Sequence, residues 1–376
     1  MKILFISMPS IHAIRWIENL KETNNELYWF DVLNKGRLQT IDSVTQFTDW
    51  KFRKIPTLKG EYFLYKKAPF LYNLVHSLLE VTANEKLEKI INEIQPDVVH
   101  SFEMQNCSYP ILKTMKKFNH LNWIYSCWGN DLFFYQNNPI HKFKIKKVLQ
   151  RVNYLHTDCE RDYKLAKELG FNGNFLGVIP GGTGYKINDL IKIRLPFEER
   201  KIILVKGYQN TFGRALTIVK ALNELQSEMI AYEIIVFGAH NEVVKYLEEN
   251  QLAYKLFHRH ELTHNQLLEW MGKALIYIGN NSSDGMPNTL LEAIIMGAFP
   301  IQSNPGGATS EIIVPKKNGL LIKNTEDVEE IKELLKNALL NQKMIKAAME
   351  INLAIAYDKL DYEINKKKVI AIYQNI

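Results

Sequence analysis

Cysteine is scarce in this sequence. Among 376 residues there are three, Cys107, Cys127 and Cys159, and none forms a C-x-x-C pair. So sparse and odd a set is a poor disulfide framework and a poor zinc site, and it points to a reducing compartment, the cytoplasm. Long apolar runs are missing too: no stretch of about 18 uninterrupted apolar residues occurs. The opening Met1–Ile6 meets His12, Arg15 and Glu18 too soon for a signal peptide or a spanning helix. Excess charge is also absent. A formal net charge of +6 is too mild for a dedicated nucleic-acid binder, and no nucleic acid is expected as a partner. There is no Asp-x-Asp triplet, no His/Cys cluster at ligand spacing and no G-x-x-x-x-G-K-S/T phosphate loop. The expectation is therefore no metal and no cofactor. Neither an internal repeat nor a low-complexity tract appears.

What is present is an ordinary folded composition, 46% apolar and 23% charged, at a length that suits two domains. Short apolar segments alternate with amphipathic ones, the pattern of a parallel sheet covered on both faces. In the first half, strands fit 2–6, 27–30, 97–100, 123–125 and 154–156, with helices at 12–21, 70–94, 108–117 and 160–169. A second alternation starts at Ile202, with strands at 202–205, 233–237, 254–257, 275–278 and 299–302. Helices fit between them at 215–225, 241–249, 265–271 and 288–296. The turn-rich run from Val178 to Gly184 breaks the pattern. The expected fold is α/β: two doubly wound, Rossmann-like domains facing a cleft. Residues 1–185 make the first, 200–355 the second, and a C-terminal helix within 356–376 packs back on the first. In such sheets ligands bind beyond the carboxyl ends of the strands. Gly181 and Gly182 then fall at the hinge and the cleft floor.

The most informative stretch runs from Ser282 to Ala293. Asp284 lies on a loop after a strand, and Glu292 follows eight positions later on a helix, so both acids can address one extended ligand. Gly285 lets a ligand approach the backbone closely. Met286, Pro287, Asn288 and Thr289 open the helix, whose free N–H groups and positive dipole end suit an anion or a sugar oxygen. Pro287 fits the first turn, where its missing N–H costs nothing. Glu292 sits in an otherwise apolar helix, and a carboxylate there needs partners. A second constellation is Lys206-Gly207 at a strand end and Gly213-Arg214 at a helix start. A departing diphosphate needs fixed cations of this kind, and Arg can grip phosphate oxygens with two parallel bonds.

From Asp284 to Glu311 the sequence resembles the family 4 glycosyltransferases, which are retaining enzymes of GT-B fold. Their pattern is an acid, seven residues, a Glu, a Gly-x-Pro strand and a Gly-Gly-x-x-Glu turn. Here these are Asp284 in place of the usual Glu, Glu292, Gly297 to Pro300, and Gly306-Gly307 to Glu311. The resemblance implies that Glu292 binds the donor's ribose. It implies that Asp284 and the loop Gly285–Pro287, with Asn288, Thr289 and Gly207, hold the transferred sugar and the donor. Lys206 and Arg214 then stabilise the diphosphate, and backbone groups near His258–Leu262 hold the base. In the first domain Pro96–Ser101 matches the family's strand ending in His, which places His100 among the catalytic residues. The turn Trp128-Gly129-Asn130-Asp131 stands where the family has His-Gly-x-Asp. His12, Arg15, Trp128 and Asp131 are the implied acceptor or cleft residues. The activity implied is transfer of a sugar from a nucleoside-diphosphate sugar to a glycan or lipid-linked acceptor, with retention, in surface polysaccharide or glycolipid synthesis. Two other readings remain at this level: a nucleotide-sugar epimerase of the same fold, and a non-catalytic nucleotide-sugar-binding protein.

Two runs mix bases with aromatics. Residues 51–67 contain Phe52, Tyr62, Phe63 and Tyr65 among Lys and Arg; Lys142, Lys144, Lys146 and Lys147 make the other. Both suit either an anionic membrane face on the cytoplasmic side or a solvated helix.

Overall fold

The computed structural model describes residues 1–181 and 183–376, with the side chains of Pro69, Asn73, Leu74 and His76 left aside. The chain divides into two compact units, each built on a parallel sheet with helices. Unit 1 comprises Met1–His156, Tyr163–Gly177 and Val369–Ile376; unit 2 comprises Thr157–Asp162 and Val178–Lys368.

The strands of the first sheet are β1 (Lys2–Ser7), β2 (Glu26–Asp31), β3 (Thr45–Phe47), β4 (Val98–Phe102), β5 (Asn122–Cys127), β6 (Tyr154–Thr157) and β7 (Asn174–Val178), in the spatial order 3-2-1-4-5-6-7. Val98–Phe102 is buried at every position, as a central strand covered on both faces must be. The helix Ala83–Ile94 shows why an amphipathic segment docks on such a sheet. Leu87, Ile90, Ile91 and Ile94 recur at i, i+3, i+4, i+7 and are its buried residues, each contributing about 1.5–3 kcal/mol when fully covered. Thr82 starts this helix with a reciprocal capping box to Glu85. The sequence pattern runs one helix from 70 to 94; the structure breaks it into Pro69–Leu79 and Ala83–Ile94 and adds a separate helix, Glu61–Lys67, before it.

The second sheet holds β8 (Ile202–Lys206), β9 (Glu233–Ala239), β10 (Lys255–His258), β11 (Ala274–Gly279), β12 (Phe299–Ser303) and β13 (Leu320–Ile322), in the order 10-9-8-11-12-13. Its described pairs are all parallel. The helix Asn288–Met296 is buried along its whole length from Leu290 to Met296, as expected for one apolar all round. It ends at Gly297, whose φ of 79° is a left-handed cap that a side chain would strain.

The boundaries differ from the expectation. Thr157–Asp162 and Val178–Tyr185, placed by sequence in the first domain, belong to unit 2, and of the C-terminal segment only Val369–Ile376 belongs to unit 1. Hydrophobic periodicity finds elements, but which core a short segment joins is set by long-range contacts. No helix among the described residues is long and apolar enough to cross a membrane.

Candidate active site

In unit 2 the strand order reverses direction of growth at β8 and β11, so the crevice beyond their carboxyl ends is the natural ligand position. Lys206 is the last residue of β8, and the loop 280–287 follows β11. Backbone bonds tie the two loops together. Arg214 donates its N–H to the Asn280 carbonyl and Ser282 to that of Phe212, each at 2.8 Å. This brings the Lys206 ammonium 4.0 Å from Asp284 Oδ2. Lys206 is 8% exposed. Burial lowers its pKa, against the pull of the Asp284 and Glu292 carboxylates, which raises it. A buried cation thus stands beside Asp284, 78 positions away in sequence, and within the electrostatic reach of Glu292, 86 positions away.

Asp284 is oriented by Asn281, whose side-chain amide donates to Oδ2 at 2.6 Å, and by the Gly285 N–H, 3.0 Å from Oδ1. Glu292 has the partner its apolar helix demanded: His264 Nε2 lies 2.8 Å from its Oε1. His264 opens the helix His264–Lys273, which starts on a Thr263/Gln266 capping box. Thr289 accepts from the buried Tyr277 hydroxyl at 2.9 Å. Pro287 is the cap before the helix, with extended ψ of 122°, rather than its first residue; the expected first-turn role moves to Asn288. Gly207 is required by packing, since a Cβ there would meet Ala239 and Val236 at 2.8 Å. Gly181 has φ of 68° and presses on Asn288 and Leu291, where a Cβ would come within 3.0 Å. Gly182 lies outside the described residues.

Arg214 is less open than a phosphate grip requires. Its Nε pairs with Glu326, and its Nη1 donates to the carbonyls of Asn210 and Gly213, both at 2.9 Å, and of Thr211 at 3.3 Å. A two-bond grip on a phosphate through Nε would have to displace Glu326.

A third segment, Thr157–Asp162, supports the acidic loop from behind. Asp158 accepts the Met286 N–H at 3.2 Å, and its carboxyl is pushed well up by burial and by the neighbouring Asp162. Arg161 donates to the carbonyls of Asp284 and Pro305, each at 2.7 Å. Glu311, the last acid of the sequence motif, caps the helix Glu160–Glu168 by accepting the N–H groups of Glu160 and Arg161 at 2.8 and 2.9 Å. Neither Asp158 nor Arg161 carries a local sequence signal, and the same is true of His264 and Asn281. Beside this site a pocket of about 430 Å³ is lined by Ala239, His240, Asn241, Glu242, His258 and Arg259, past the ends of β9 and β10.

In unit 1 the corresponding switch lies between β1 and β4. His12 and Arg15 stand half-buried on the helix Ile11–Glu18 after β1, and the His12 ring lies 5.2 Å from that of Trp128. Two expected site residues are not available to a ligand. His100 is fully buried. Its Nδ1 lies 2.5 Å from the Tyr373 hydroxyl and its Nε2 2.8 Å from Ser126 Oγ, while Trp16 Nε1 donates to the same Tyr373 oxygen at 2.8 Å. Burial depresses its pKa, with His156 adding to the effect; with both ring nitrogens engaged it braces the core and does not face a ligand. Asp131 is 2% exposed. It accepts from Tyr125 Oη at 2.6 Å, Cys127 Sγ at 3.1 Å and the Trp128 N–H at 3.0 Å, which makes it the clamp of the Trp128 turn. One residue the sequence did not single out is Glu103, directly after β4. Its φ of 69° is unusual for a side-chain-bearing residue, and its carboxylate accepts the N–H groups of Gln105 and Asn106 at 2.9 and 2.6 Å. All three cysteines are buried thiols.

Residues 187–352 match the family described as Glycosyl transferases group 1, and residues 2–158 match Glycosyl transferase 4-like. No curated protein matches the chain. Among solved structures it is similar to a glycosyltransferase from Rickettsia africae ESF-5, at 14% identity and TM-score 0.68, covering 100% of this chain and 98% of that one. HepE of Anabaena, in complex with UDP and glucose, aligns over 100% of both chains at 14% identity and TM-score 0.67. The sucrose-phosphate synthase of Thermosynechococcus elongatus gives 12% identity and TM-score 0.69, over 100% of this chain and 98% of that one. With one family matched on each sheet, the chain is a glycosyltransferase of the group 1, family 4-like type with the GT-B fold.

Proposed function

We propose that the protein transfers a sugar from a nucleoside-diphosphate sugar to a glycan or lipid-linked acceptor with retention of configuration. The work would be done in the cytoplasm, at the inner face of a membrane, in surface polysaccharide or glycolipid synthesis. The observation that carries this reading is Lys206, buried at the β8 end beside Asp284 and under the pull of the Glu292 carboxylate. The named relatives add a direction for the base, since HepE holds UDP. In this reading the base enters the pocket beside His240 and Arg259, and Glu292, steadied by His264, takes the ribose hydroxyls. Lys206, and Arg214 once released from Glu326, neutralise the diphosphate. Asp284 faces the transferred sugar. As the bond from the anomeric carbon to the phosphate oxygen breaks, the acceptor oxygen attacks from the same face. Its proton passes to the departing phosphate oxygen, so no side-chain base is needed. Protein cations supply the charge, and EDTA is expected to leave the rate unchanged.

The test is a thermal-shift panel of UDP, GDP, ADP and CDP on wild type and Glu292→Ala. A ligand at 100 times its Kd adds about 2.7 kcal/mol of stability. UDP should stabilise the wild type and not the variant. Stabilisation of both alike removes Glu292 from the donor site. Conversion of the UDP-sugar without acceptor would replace transfer by epimerisation, and binding with no turnover would leave a binding protein.

A further inference from the structure

We propose that residues 51–79 form a membrane-docking platform whose partner is the surface of an anionic lipid bilayer. Two independent distributions converge on this segment. Residues 51–79 hold six cations and one acid, which is five of the chain's six net positive charges. Of the 21 large apolar side chains that stand exposed among the described residues, ten fall between Phe52 and Leu78. Exposed apolar residues scattered along a chain need no explanation, but their concentration in one short segment does.

The segment is built, not slack. The Arg53 guanidinium pairs with both oxygens of Glu61 at 2.7 Å and bridges towards Glu80. Backbone bonds from Lys54 to Leu79 and from Val81 to Phe52, at 2.8 and 3.0 Å, clip its two ends together. Within this frame the helix Glu61–Lys67 starts at Gly60, and its Tyr65 ring meets Tyr72 edge-on at 5.3 Å. What the frame presents outward is Tyr62, Phe63, Tyr65, Phe70, Leu71 and Leu78, from 51% to 75% exposed. Lys51, Arg53 and Lys54 are spent on Glu80, Glu61 and Glu85. Lys59, Lys66 and Lys67 are exposed on the segment, and Lys66 lies over the Tyr62 ring at 4.8 Å.

Tyrosine and phenylalanine beside lysine are the groups that settle at the headgroup level, rings in the acyl boundary and ammoniums on lipid phosphates. Charge and chemistry select the partner: five net positive charges beside exposed rings complement the anionic headgroups and acyl boundary of such a bilayer. The surface lies wholly within unit 1, so its occupancy is independent of the sugar-transfer reading.

The experiment is vesicle co-sedimentation of the full chain, with no donor or acceptor present. Vesicles are phosphatidylcholine alone, or phosphatidylcholine with phosphatidylglycerol at about a third of the lipid. Binding should appear with the anionic vesicles at low salt and weaken as salt rises. Lys66→Glu/Lys67→Glu should lower the affinity by about tenfold or more, and Phe63→Ser/Phe70→Ser should lower it comparably while keeping the salt dependence. Both variants should keep the unfolding midpoint and UDP shift of the wild type, which separates lost docking from lost fold. Equal binding to both vesicle types, no binding to either, or a concentration-dependent dimer abolished by Phe63→Ser/Phe70→Ser would overturn the proposal. The last result would give the face to a second copy of the chain.

Discussion

Replacing Gly285 with alanine tests how the acidic loop is held. Nothing in the backbone forbids the change, because the φ of Gly285 lies outside the left-handed region. The obstacle is a single side chain. A Cβ at 285 would stand 2.5 Å from Asp158 Oδ2, 2.8 Å from Oδ1 and 3.0 Å from Cγ, where ordinary contact begins at 3.4 Å. Asp158 must therefore retreat by about 0.9 Å, and in doing so it releases the Met286 N–H it accepts at 3.2 Å. Overpacking of this kind costs about 1–3 kcal/mol. The obstruction is a side-chain end and not backbone, so the lower part of that range applies. Asp158→Ala alone forfeits the Met286 bond, about 1 kcal/mol, and opens the space that the new methyl needs. In the Asp158→Ala background Gly285→Ala should then be nearly free, a coupling of at least about 1 kcal/mol. Urea unfolding of the four proteins, read from midpoints at matched m-values, measures it. Additivity within about 0.5 kcal/mol would refute the contact, and with it the claim that Asp158 shapes the loop.

Two further outcomes follow from unit 1. Burial, with Asp131 as a lesser cause, pushes the Glu103 carboxyl up from 4.5 to about 7. The folded state then binds more protons than the unfolded one between those values, so stability should fall as pH rises from about 4.5 to 7, by about 3 kcal/mol at most. Glu103→Gln should flatten that slope in urea midpoints taken at pH 5 and 7.5; an unchanged slope would assign it to other groups. Tyr373→Phe strips the shared partner from the Trp16 indole and His100 and should cost about 1–3 kcal/mol while leaving the UDP shift intact. A lost UDP shift at unchanged stability would return the His100 network to the donor site.

The legible parts of the sequence were those with a local cause. Ten of the thirteen strands among the described residues announced themselves as short apolar runs between turns, and Asp284, Glu292 and Lys206 stood out because motifs marked them. The broken helix before Ile94 was not legible, since exposed aromatics in Glu61–Leu79 imitate a core stripe. Short strands such as Thr45–Phe47 and Leu320–Ile322 carry too few residues for a period to show.

The sequence by itself determined the alternation of strand and helix, hence two parallel sheets, and the presence of two acids and a lysine beyond strand ends. Those properties depend on residues within one or two turns of each other. Only the tertiary structure decided which polar groups are buried and what satisfies them. His100 and Asp131 look like site residues until Tyr373, 273 positions on, and Tyr125 take up their polar atoms. Conversely, His264, Asp158 and Arg161 acquire meaning only where they meet Glu292, Met286 and Asp284. A buried polar atom must find a partner wherever the chain supplies one, and the partner's distance in sequence is what keeps that choice out of any local pattern.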